Sequence, residues 1–164
     1  MTRKENAMTT TSWGDATALL AAAGVAEDTG YYRGFTAPGE KAALTVAMRI
    51  QAAWAANDAD AFADVFADYG SLLMQDTQLT SREQIRDYMT RGFAGGLKGA
   101  RVLGGPVHVS FLTPEVALVV TEGGIVRPGE QAVAPADQIR ATWVIARRDG
   151  DPVLVSHQSS PVHG

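Results

Sequence analysis

The chain has 164 residues, no cysteine, and a formal net charge of −4 with a pI near 5.3. That length suits a single core, and a hydrophobic share of 46% is that of a globular chain rather than a disordered or membrane one. The missing thiols exclude disulfides, thiol catalysis and cysteine-held zinc, and fit a cytoplasmic location; the acidic balance argues against nucleic acid, which needs a basic face, and no run approaches the ~20 apolar residues that cross a bilayer.

Residues 1–37 read as an N-terminal tail, partly disordered. Met1 to Ser12 is polar and threonine-rich, Trp13 to Ala23 has room for one short helix, and Asp28 to Pro38 is a loop. Leu19 to Ala23 is apolar, but its flanks do not make a signal peptide. Trp13, Tyr31, Tyr32 and Phe35 are many aromatics for a tail. Either they pack on the domain or on a partner subunit, or they help close the mouth of a pocket.

Residues 38–164 read as one α+β domain. Ala43, Ala47, Ile50 and Trp54 form an apolar stripe at helical spacing. Asn57-Asp58 breaks that helix, and Asp58 can cap a second, with Phe62, Val65 and Phe66 as its stripe. Ser71 to Met74 is a short apolar strand, and Gln75 to Thr77 is turn-like. Thr80 with Glu83 and Ser81 with Gln84 are overlapping capping boxes. They open a third helix whose stripe is Ile85, Tyr88, Met89 and Phe93, stopped by Gly95-Gly96.

Everything after Ala100 reads as strand. Arg101 to Leu103 and Val107 to Leu112 flank Gly104-Gly105-Pro106, the mark of a bulge or sharp bend. Val116 to Arg127 is a long valine-rich strand with a kink expected at Gly123-Gly124. Pro128 to Asp137 is a loop. Gln138 to Arg148 and Val153 to Ser160 are strands joined by the hairpin signal Asp149-Gly150. Helices first and a meander after them predict a cone-like, curved, mixed or antiparallel sheet, with three main helices on its concave face enclosing a pocket. The strand Gln138 to Arg148 is apolar on both faces, whereas helices cover only one, which predicts a homodimer.

The segment Ala42 to Phe93 followed by four strands resembles the SnoaL-like branch of the nuclear-transport-factor-2-like (NTF2-like) superfamily. Gly95 to Gly105 (GGLKGARVLGG), Val107 to Val120 (VHVSFLTPEVALVV), Arg140 to Gly150 (RATWVIARRDG) and Leu154 to Val162 (LVSHQSSPV) are similar to the SgcJ/EcaC family. The resemblance covers roughly Ala42 to Val162. It implies the cone fold and a place in enediyne polyketide biosynthesis. Ketosteroid isomerase-type relatives carry an aspartate base and a tyrosine at positions that resemble Met74 and Ile50 here. Neither residue moves a proton, so enolate chemistry of that kind is disfavoured. In SnoaL-like relatives, a polar residue at the place of Gln158 faces the cavity.

The closing strand is therefore the first place to look for a site. A period of two puts Leu154, Ser156, Gln158 and Ser160 on one face, and Val155, His157 and Ser159 on the other. Gln158 can orient a carbonyl or hydroxyl, and His157 can serve as acid or base. If Gln158 points inward, His157 points outward unless a bulge intervenes. Glu122 is either a buried base or an exposed strand residue. Arg140 either anchors an anion or pairs with Glu122 across the strands. Gln158, His157, Glu122 and Arg140 are the catalytic candidates. Trp54, Phe62, Phe66, Met74, Trp143 and Tyr88 are core by pattern, and some of them must line any cavity. Tyr69 and Tyr88 are the phenols most able to reach it. With Thr142, Ser156 and Ser160 they complete the binding candidates.

Asp58, Asp60, Asp64 and Asp68 read as a solvated helix face with a cap, not a calcium loop. His108, His157 and His163 lack metal-ligand spacing, and no glycine-rich phosphate loop opens a helix. No metal or cofactor is expected. Two functions fit. One is a cofactor-independent enzyme that cyclises, isomerises or otherwise rearranges a conjugated, hydrophobic polyketide intermediate. The other is a non-catalytic protein that sequesters such an intermediate or makes transient contact with a polyketide synthase.

Overall fold

The computed structural model describes residues 13–163. The disorder expected for Met1 to Ser12 lies outside the described residues. Helix α1 spans Ala16–Ala22, followed by a 3-10 turn, Thr29–Tyr32. Helices α2 (Pro38–Ala56), α3 (Ala59–Asp64) and α4 (Arg82–Ala94) carry the apolar stripes. The strands are β1 (Phe66–Met74), β2 (Thr77–Leu79), β3 (Arg101–Thr113), β4 (Val116–Val126), β5 (Gln138–Arg148) and β6 (Asp151–Pro161). They form one sheet in the order β2-β1-β6-β5-β4-β3, with β1 and β6 parallel and the other neighbours antiparallel. The mixed α+β sheet with helices is as expected.

Local chemistry sets the helix limits. Pro38 opens α2, and the Glu40 carboxylate accepts from the Ala37 backbone N–H at 3.1 Å. Asn57, left-handed at φ 50°, ends it. Asp58 then caps α3 by accepting from Ala61 N–H at 3.0 Å. The Ser81 hydroxyl caps α4, and Gln84 reaches back to the Thr80 N–H at 2.9 Å.

Phe66 begins β1 rather than ending a helical stripe, and β1 starts well before Ser71. The reason is pairing: the Val65 carbonyl accepts from Leu154 N–H at 2.9 Å, which pulls the chain out of the helix and onto β6. Gln75, at φ 56°, turns the chain into the short strand β2, which the sequence pattern did not reveal. Gly104-Gly105-Pro106 does not interrupt β3; it produces a register shift between Pro106 and His108.

The bend is made where β3, β4 and the start of β5 meet. Gly104 and Gly123 have φ of +155° and +145°. A Cβ on Gly104 would lie 2.1 Å from the Glu122 carbonyl oxygen, and one on Gly123 would lie 2.0 Å from that of Leu103. The strands approach more closely there than any side chain permits. The sheet curls around α2, whose alanines (Ala42, Ala43, Ala47, Ala53) are buried and let the helix lie close. Trp54 stands edge-on to Phe62 at 6.2 Å and to Phe93 at 5.3 Å.

The chain from Trp13 onward packs on this frame. Trp13 is fully buried, lies edge-on to Phe111 at 5.3 Å, and donates its indole N–H to the Pro114 carbonyl at 3.0 Å. Leu20 is buried as well. Among the described residues, no helix is long and apolar enough to cross a membrane.

Candidate functional site

Between α2 and the concave face lies a cavity of about 350 Å³. Its helical wall is Ala47, Ile50, Gln51 and Trp54, at one helical stripe's spacing. Phe62, Phe66, Leu72 and Met74 close one end. The bend of β3 and β4, from Val102 to Gly105 and from Thr121 to Ile125, forms the other. Ala141, Trp143 and His157 form the inner surface of β5 and β6, and Ser159 to Pro161 border it. Tyr31, from the N-terminal segment, completes the wall.

One extra residue decides which side of β6 faces this space. Ile145 pairs with Leu154, but Val144 pairs with Ser156, so Val155 is a bulge. Leu154 is fully buried, facing the core. Beyond the bulge the alternation is inverted, and His157, opposite Trp143, points inward. Gln158, expected inward on a regular strand, instead points away from the cavity opposite Thr142. There it donates to Ser71 Oγ at 3.1 Å and Ser156 Oγ at 3.3 Å.

His157 is the histidine of the site. Its ring stands edge-on to Trp143 with centroids 4.4 Å apart. The residue is half-buried and lines the cavity. Burial pushes its pKa down to about 4, with its own backbone weakly opposing, so the ring is neutral at pH 7. Nδ1 is buried without a hydrogen-bond partner. Beside it the Trp143 indole N–H donates to Thr121 Oγ1 at 2.8 Å, a buried bond that leaves the threonine O–H free to donate elsewhere. The Gln51 amide nitrogen donates to the Val102 carbonyl at 3.2 Å, which leaves its oxygen as an acceptor. Tyr31 is buried, and burial pushes its phenol well above the usual range, so it stays protonated. The cavity interior thus offers neutral donors and acceptors on an apolar wall.

Charge is confined to the rim. Glu122 borders the cavity but is half exposed and pairs with Arg33 at 2.9 Å. Arg140 sits opposite Glu122 in the β4–β5 register without pairing with it, and is exposed. At the far rim, Asp137 is held by Arg127 at 2.7 and 2.9 Å, and that hydrogen-bonded guanidinium keeps its carboxyl below the usual range.

Of the residues singled out in the sequence, Trp54, Phe62, Phe66, Met74, Trp143, His157, Glu122 and Ser160 border the cavity. Gln158, Thr142, Ser156 and Arg140 do not, because the bulge and the strand alternation turn them to the other face. Tyr69 is exposed, takes a hydrogen bond from Arg148, and lies under that guanidinium at 5.2 Å. Tyr88 reaches Gln75 at 3.5 Å instead of the cavity. Met74 and Ile50 both line the cavity, so the two positions compared with isomerase relatives are apolar contacts here. The acidic series is a solvated face: Asp60 and Asp64 bind Arg86, and Asp68 binds Arg82. Gln51 and Thr121 were not singled out in the sequence. Gln51 continues the spacing of Ala47, Ile50 and Trp54, and Thr121 shares the parity of Ala117 and Val119.

The fold is widely shared. A domain of unknown function with a cystatin-like fold from Nostoc punctiforme superposes with a TM-score of 0.67 at 17% identity, covering 84% of this chain and 81% of that one. An NTF2-like protein with a cystatin-like fold from Novosphingobium aromaticivorans gives 0.62 at 14% identity, with 73% and 79% covered. A putative calcium/calmodulin-dependent protein kinase II association domain from Xanthomonas campestris gives 0.59 at 26% identity, with 77% and 88% covered. No curated protein matches. The family model described as SnoaL-like domain matches residues 44–163, from within α2 to beyond the end of β6. The chain has the cystatin-like fold of these neighbours and belongs to the SnoaL-like domain family.

Proposed function

We propose that this protein binds an uncharged, largely apolar, conjugated small molecule in the cavity and promotes its rearrangement without a cofactor. The observation that carries this reading is His157, a neutral imidazole facing a largely apolar space. A neutral imidazole accepts at one nitrogen and donates at the other, so it can orient a carbonyl or hand over a proton. Shape and exclusion of water supply the rest by holding a flexible chain in one reactive conformation. The motifs from Gly95 to Gly105 and from Leu154 to Val162, similar to the SgcJ/EcaC family, support an enediyne polyketide intermediate as the substrate.

A second reading is a non-catalytic carrier, favoured by one observation. Glu122, a carboxylate at the cavity rim, is engaged by Arg33 and so does not form a proton-transfer pair with His157. Homodimerisation through the outer sheet face, and transient docking on a synthase, belong to either reading.

The test is complementation of a deletion strain, followed by incubation of the purified protein with the intermediate that accumulates. Multiple turnovers by wild type, lost in a folded His157→Phe variant, are expected. Stoichiometric protection without conversion would favour the carrier. Full product formation by His157→Phe would remove His157 from the mechanism.

A further inference from the structure

The N-terminal segment around Tyr31 is built as if to be held down from outside. Its backbone hydrogen bonds are local: Tyr31 N–H to the Asp28 carbonyl at 3.1 Å, Arg33 N–H to Gly30 at 3.3 Å, and Phe35 N–H to Tyr32 at 2.9 Å. Tyr32 is the fixed point of the segment: it is buried in the core and donates its O–H to Glu27 at 2.7 Å, with the Lys41 ammonium of α2 5.0 Å from its ring centroid. Among the described residues, the hydrogen bonds from residues 28–35 to the sheet come from Arg33 alone. Its guanidinium donates to the Pro106 carbonyl at 3.2 Å and to Glu122 Oε2 at 2.9 Å.

The local backbone is shaped for that reach. Arg33 has φ 53° and ψ −126°, a conformation rarely occupied by any residue but glycine. The guanidinium lies against Gly105, where a Cβ would come within 2.5 Å of Arg33 Nε. A strained backbone and a bare glycine seat thus serve one contact. Two residues earlier, the Tyr31 side chain enters the cavity wall. Both charges of the latch are nearly half exposed, at 42% and 46%. An ion pair so placed is weak and screened by salt, which suits a closure that must also open.

We propose that residues 28–35 are a strap over the cavity rim, with Tyr31 as a ligand-contacting wall and Arg33, latched to Glu122, as the residue that positions it. The strap rests on the reading of the cavity as a binding site, but its latch can be tested apart from that reading. Opening the latch frees Tyr31 to swing out with the segment. Closing it restores the wall behind a bound molecule, so the latch governs escape more than entry.

The test uses the full chain and N-phenyl-1-naphthylamine, an uncharged apolar fluorophore. Glu122→Gln is expected to speed dissociation of the probe about threefold, as loss of a half-exposed ion pair implies. Arg33→Ala, which loses both contacts, is expected to speed it about tenfold. The exchanged pair Arg33→Glu with Glu122→Arg should return the rate toward wild type, which a merely structural effect would not do. Hydrogen exchange on the ligand-free protein provides the independent measurement. Peptides covering residues 28–35 should exchange faster in Glu122→Gln while those of α2 and β5 are unchanged. Wild-type dissociation rates in both single variants would overturn the strap. If the wild type does not bind the probe, the binding reading is weakened, and the exchange data alone decide the latch. Unchanged exchange in residues 28–35 would then overturn it.

Discussion

Leu154 and His157 point to the same side of β6 although they stand three positions apart, an odd offset that puts residues on opposite faces of a regular strand. Leu154 pairs with Ile145 and His157 with Trp143, and the unpaired Val155 takes up the difference. This single bulge turns an imidazole toward the cavity and an amide away from it.

The bulge orders the effects of two substitutions. Gln158→Leu removes bonds to Ser71 and Ser156 on the outer face, and should cost at most about 1 kcal/mol with pathway function retained. His157→Phe keeps the contact with Trp143 but removes the ring nitrogens, and product formation should fall at least tenfold. Yields from complemented cells would check this; the opposite order would mean that β6 lacks the bulge in solution.

The helices, their caps and the kinked strands were legible in the sequence because each rests on local chemistry: Asp58 before an apolar run, Gly95 after one, paired glycines in the β3–β4 bend. The face of β6 was not. A bulge at Val155 leaves no mark in a run such as Leu154-Val155-Ser156, and one residue exchanges the facing of His157 and Gln158. Phe66 was misplaced for a similar reason, since its strand pairing with β6 is a long-range contact that overrides local helical spacing. Tyr31 was visible as an aromatic excess, but its place in the cavity wall comes from packing against elements distant in the sequence, which leaves no local mark.

Trp143 and Thr121 allow a second test. Thr121→Val keeps the volume but leaves the buried indole N–H without its acceptor. The expected loss is about 1–3 kcal/mol of stability, read from urea unfolding and accompanied by a change in tryptophan emission. Unchanged stability would mean that water from the cavity replaces the hydroxyl.

The bend of the sheet should tolerate no side chain at Gly123. Gly123→Ala places a Cβ 2.0 Å from the Leu103 carbonyl oxygen in a positive-φ residue, and should cost at least ~3 kcal/mol. Gly96→Ala, where nothing lies within 4 Å, is the control and should be near neutral. Equal urea midpoints for the two would contradict the close approach of β3 and β4.

The proposed dimer makes a claim about the outer face. Leu118 and Val120 of β4 and Val144 of β5 lie beside one another there, partly exposed. A dimer through this face should dissociate in Val120→Lys, with a halved mass in light scattering and the monomer still folded. A wild-type mass that is monomeric at every concentration would end the proposal.

Acid should destabilise the protein through His157. Its folded pKa, about 4, lies below the ordinary value of 6.5, because charging the ring means charging it inside the cavity wall. The unfolded chain therefore binds this proton first as pH falls. Stability is full above pH 6.5 and is lost progressively toward pH 4, by about 3 kcal/mol once both states are compared at the acid end. His157→Leu has no proton to bind, so its stability should vary less over the same window, and the stability of wild type relative to the variant should fall as the pH falls. Urea unfolding at pH 7, 5.5 and 4.5 would measure the difference. Parallel curves would show that the imidazole is hydrated in solution, and that the cavity floor is wetter than its apolar wall implies.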